Sequence, residues 1–125
     1  MENPKAQKLL NKIQRDLMRN GIITNTIVED LKELRPYAVE EKSPLLAKVI
    51  RLTYEHIEAH NTFDIPIPDD EPVEGFEEET PSSESFDPAE SLDYLMSLMA
   101  EAKNKINAIE LREYSNSLIA YAEEN

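Results

Sequence analysis

Apolar residues recur every three or four positions through most of this chain, the period of an amphipathic helix. Near the start, Ala6, Leu9, Leu10, Ile13 and Leu17 form one such face. Asn3 is placed to cap the exposed amides, Pro4 suits the first helical position, and Gly21 is placed to end the helix in the left-handed conformation. A second helix is predicted from the stretch TIVE, where Thr26 and Glu29 have capping-box spacing, with Ile27, Leu31 and Leu34 as its face. Pro36 ends or kinks it, because proline supplies no amide, and YAVEEK can carry one more turn. A third helix opens with Ser43 as cap and Pro44 after it. Its buried side is Leu46, Val49, Ile50, Thr53 and Ile57, fading by Asn61.

The period then changes. Phe63, Ile65 and Ile67 alternate with polar residues or proline, which predicts an extended strap with at least two of the three against the helices. From Asp69 to Asp87, nine of nineteen residues are acidic and none is basic. That stretch has too little apolar surface to offset the entropy of ordering, so it is expected to be mobile. Helical signals return with Asp87 as cap, Pro88 as first residue and Glu90 in the first turn. Leu92, Leu95, Met99, Ala102, Ile106 and Ile109 then repeat like a coiled-coil seam. Glu113 falls where the next apolar residue is due, and the pattern resumes off-register with Leu111, Tyr114, Leu118 and Tyr121. No proline or glycine interrupts this run, which favours one long helix over a bend near residue 110. The predicted fold is all-α and four-helix bundle-like. Three short helices fill residues 1–62, an acidic, proline-rich and partly disordered connector spans 63–87, and a long C-terminal helix at 88–125 completes the bundle.

Charge sharpens the picture. The 125 residues fit one domain, and the net charge of −13 is unevenly spread. Residues 1–60 hold ten bases and nine acids, residues 61–87 ten acids and no base, and residues 88–125 seven acids and three bases. Such a chain repels nucleic acid and anionic membranes at long range and favours basic partner surfaces. Without cysteine there is no disulfide framework, thiolate metal site or cysteine nucleophile. The N-terminal segment lacks the apolar run of a signal peptide, and no window approaches the ~18 apolar residues of a membrane helix. A cytoplasmic protein is the expectation.

Candidate chemistry is sparse. His56 and His60 lie four apart on one side of the third helix, a spacing that can chelate a metal. Ile57 stands where the metalloprotease pattern needs glutamate, the acid being Glu58 instead; no third ligand is obvious, although Asp64 lies near in sequence, and histidines near a helix C-terminus also meet its dipole favourably. Lys5, Lys8, Lys12, Arg15 and Arg19 form a basic stripe on the first helix, without interleaved aromatics to stack on bases. That stripe reads as a solvated face or a docking site for the chain's own acidic connector. Leu111, Tyr114, Leu118 and Tyr121 are the expected partner-binding patch, with core packing as the alternative. No phosphate-binding glycine loop or nucleophilic triad is visible, and no cofactor is expected.

These features predict a non-enzymatic, helical protein-protein interaction or adaptor protein that self-associates as a homodimer. Its connector shields the basic stripe or engages a partner with a basic surface. The alternative is a small nucleic-acid-binding regulator autoinhibited by that connector. A metal-dependent enzyme using His56 and His60 ranks last. The residues give no identity for the partner.

Overall fold

The structure, a computed structural model, describes residues 1–67 and 87–124. Among them are five helices: α1 (Pro4–Asn20), α2 (Thr24–Glu40), α3 (Pro44–His60), α4 (Pro88–Ala100) and α5 (Lys105–Glu124). No described helix is long and apolar enough to cross a membrane. The main packing contacts run in a ring, α1 on α2, α2 on α3, α3 on α5, α5 on α4 and α4 back on α1. One core fills the interior, from Ala6, Leu10, Ile13 and Leu17 of α1 through to Leu111, Tyr114 and Leu118 of α5.

Local chemistry sets most of the ends. Asn3 caps α1, its side chain accepting from the Lys5 amide at 2.7 Å. Gly21 ends α1 with φ 72° and ψ −156°, a region open essentially to glycine alone and extended rather than left-handed helical. The Gly21 amide still donates to the Leu17 carbonyl. Helix α2 starts at Thr24, two residues ahead of the predicted capping box, and no side chain caps it. It also runs through Pro36 to Glu40, as the YAVEEK stretch allows. Pro36 is exposed, and the turn beyond it is fixed by buried Ala38, whose carbonyl accepts from the Ser43 amide. Lys42 and Asn61, at φ 58° and 59°, turn the chain after α2 and α3. Ser43 occupies the cap position of α3 without a side-chain bond.

The segment after α3 is extended. Phe63 and Ile65 are buried, while Ile67 is 37% exposed. This meets the expectation of two inward residues. The expected mobility of residues 69–87 concerns positions that, Asp87 apart, lie outside the described residues. Asp87 does cap α4, accepting from the Ala89 amide at 3.0 Å.

The long C-terminal helix is not continuous, so the four-helix arrangement becomes five. The break falls at Glu101–Asn104, not near residue 110, and involves neither proline nor glycine. Its cause lies in the backbone bonds. In an unbroken helix the Met99 and Ala100 carbonyls would accept from amides four residues on. Here they accept instead from the Met1 amino group, at 2.9 and 3.2 Å, and Gln7 Nε2 also donates to Ala100. The Asn104 amide turns back to the Glu101 carbonyl. The Asn104 side chain then accepts from the Ile106 and Asn107 amides at 2.9 and 3.2 Å, starting α5 afresh.

Candidate interaction surfaces

The break rotates α5 relative to the seam that the sequence suggests. At about 100° per residue, Leu111, Tyr114 and Leu118 share one side, with Ile106 and Ile109 roughly opposite. The first three are buried within the chain, against α3 and α4. They are therefore core, a correction to their expected place on an exposed partner-binding patch. The covering surface is the chain's own α3, α4 and strap. Tyr114 is anchored by Ser91, whose carbonyl accepts from its phenol at 3.1 Å, while Ser91 Oγ donates to the Ile65 carbonyl at 2.6 Å. Burial pushes the Tyr114 phenol well above its usual range, so it stays protonated. Ile106 and Ile109, which the seam would bury, are 65% and 54% exposed.

Tyr121, the fourth residue of that patch, is partly buried and belongs to a cluster with α3. Its hydroxyl donates to Asp64 Oδ2 at 2.9 Å, and its ring meets His56 and His60 edge-on at centroid distances of 4.8 and 5.0 Å. His56 also contacts Phe63 edge-on at 5.6 Å. His56 is buried, and its Nε2 accepts from the Asp64 amide at 3.0 Å. That bond requires a lone pair on Nε2, so the neutral ring carries its proton on Nδ1. Burial lowers the His56 pKa, helped by nearby His60 and opposed by Asp64. The two histidines do come together, 4.8 Å apart between ring centroids, but within an aromatic latch joining α3, strap and α5. Among the described residues no group of three His, Asp or Glu side chains is placed to hold a metal ion. The latch was invisible in sequence because Tyr121 and Asp64 are 57 positions apart.

The five cations of α1 are all exposed, on the side away from Ala6, Leu10, Ile13 and Leu17. Lys12 is engaged, its Nζ lying 2.8 Å from Asp30 and 3.2 Å from Asp16. The Asp30 hydrogen bond is the main cause raising its pKa. Lys5, Lys8, Arg15 and Arg19 make no ion pair among the described residues. At one edge of this face Met18 is exposed beside Asp87, Glu90 and Asp93 of α4. Comparison with known protein families, curated proteins and solved structures finds no match to this chain.

Proposed function

We propose that this chain is a non-enzymatic helical interaction protein whose binding surface is the outward face of α5. The observation that carries this reading is the exposure of Ile106 and Ile109, 65% and 54%, one turn apart on a helix whose other large apolar residues are inward or partly covered. Burying such a side chain is worth roughly 1.5–3 kcal/mol, so a partner that covers both gains a useful fraction of a binding energy. The net charge of −13 favours protein partners with basic surfaces and disfavours nucleic acid and anionic membrane. Two-fold self-association is the simplest form of this function, since such dimers are the commonest oligomers. A cysteine-free, acidic chain suits the cytoplasm, where such a partner would be met. Placing a photo-crosslinking residue at position 109 tests the reading in the native cell. Defined protein adducts are expected there and not at position 48 on α3; their absence from position 109 overturns it.

The α1 cations favour a second reading, a nucleic-acid-binding regulator restrained by its acidic segment. Lys5, Lys8, Arg15 and Arg19 are exposed together with no acid paired to them among the described residues. Retention on RNA or DNA that falls steeply with salt, and falls further in a Lys8→Glu, Arg15→Glu variant, would support it. Indifference of the chain to both polymers at low salt discards it.

A further inference from the structure

The outward face of α5 is self-complementary in charge. Lys105 lies one turn before Ile109 and Glu113 one turn after it, so both share the side that carries the exposed isoleucines. Neither makes an ion pair among the described residues. We propose, resting on the interaction reading above, that the occupant of this face is a second copy of the chain, packed antiparallel on a two-fold axis at Ile109. Such an axis sets residues at equal offsets before and after Ile109 opposite one another. Lys105 of each copy then faces Glu113 of the other, about 6 Å along the helix from the axis on either side. Ile109 meets Ile109 at the centre. Ile106, offset by three, meets the aliphatic stem of Arg112. Parallel packing would oppose Lys105 to Lys105 and Glu113 to Glu113, so charge selects the antiparallel arrangement. Reversed, the order cation, isoleucine, anion is its own complement, which is what an isologous contact requires.

Sedimentation equilibrium of the full chain tests this, at about 0.15 M salt, where repulsion between the two acidic copies is screened beyond ~8 Å. A reversible dimer is expected at micromolar concentrations. Ile109→Glu brings two carboxylates together at the axis and should leave only monomer, with helical content unchanged by circular dichroism. Lys105→Glu and Glu113→Lys should each weaken association about tenfold, because each removes two pairs and creates two like-charge contacts. The double variant exchanges the charges and should return the wild-type affinity. A wild-type monomer at all concentrations up to about 1 mM overturns the proposal, as does a double variant no better than the single ones. The photo-crosslink at position 109 separates this outcome from failure of the interaction reading itself. Adducts of twice the chain mass agree with the dimer. Adducts with other proteins alone overturn self-association and leave the interaction reading standing, while no adduct removes both.

Discussion

Helices α4 and α5 both carry apolar residues at helical spacing, yet they meet the core in different ways. Helix α4 buries Ser91, Leu92, Leu95, Met96, Leu98 and Met99, an arc of roughly 160° at 3.6 residues per turn, because it lies between α1 and α5. From the α1 side, Gln14 reaches the Asp93 carbonyl and Ser97 Oγ; from the α5 side, Glu110 accepts from the Tyr94 hydroxyl. Helix α5 buries a single stripe, Leu111, Tyr114, Ser115 and Leu118, against α3 and α4. Two of its three isoleucines, Ile106 and Ile109, are left in water, while Ile119 is partly buried. An apolar residue is thus core or surface according to how many neighbours its helix has and how the connection before it is phased. Period alone does not settle that.

The largest effect expected from this difference is at Leu95. It is fully buried in α4, so Leu95→Ala should cost about 2–5 kcal/mol through lost transfer energy and the cavity left behind. Urea unfolding measures it. A loss below about 1 kcal/mol would mean that α4 is loosely seated and that its contrast with α5 is false.

Next in size is the device that sets the phase between the two helices. Asn104→Ala removes the acceptor for the Ile106 and Asn107 amides and should destabilise by about 1 kcal/mol. It should also loosen the first turn of α5, seen as faster amide exchange at Ile106 and Asn107. Unchanged exchange there would show that the break is held from the α4 side alone, by Met1 and Gln7 on the Met99 and Ala100 carbonyls.

How far the sequence reveals such features follows from the range of the interactions involved. The faces of α1 and α3, the Asn3 and Asp87 caps and the inward Phe63 and Ile65 all depend on residues within a turn or two, and each is legible. Helix α2 starts at Thr24 rather than at the capping box of Thr26, and it continues past Pro36 to Glu40, where buried Ala38 and the turn at Lys42 outweigh the local preference to stop. The break after α4 is set by contacts nearly a hundred positions apart, between Met1 and the end of that helix, which no periodicity can register. The candidate surface inherits that error. Glu113, standing where the seam requires an apolar residue, was the local sign that the seam side is exposed in α5.

A smaller, pH-dependent effect distinguishes the two ends of α5. The C-terminal end is latched through Tyr121 and Asp64 to His56, whose folded pKa lies below the ordinary 6.5. The unfolded chain therefore binds the proton more readily. The stabilising contribution of neutral His56 is complete above 6.5 and is lost as pH falls from there through the folded pKa. His56→Gln keeps an acceptor near the Nε2 position but does not titrate, so its stability should fall less than that of the wild type between pH 7 and 5. Parallel curves for the two proteins would show that protonation leaves the latch intact. Contacts around Ile106, at the opposite end, should show no such dependence.

The smallest effect is expected where the comparison is sharpest. Ile106 and Leu98 lie eight positions apart in the same predicted long helix, but Ile106 is 65% exposed and Leu98 is buried. Ile106→Ser removes a side chain that is already mostly in water and has no large cavity to leave. The stability of the monomer should therefore change by less than about 0.5 kcal/mol, as at an ordinary surface site. The same substitution removes apolar area from the outward face of α5, so association should weaken while the fold does not. Unfolding must be followed at nanomolar chain concentration, since a dimer would otherwise add its own stability by mass action. If Ile106→Ser lowers the unfolding midpoint of that dilute monomer as much as Leu98→Ser does, Ile106 is core, and the rotation of α5 at Asn104 is not present in solution.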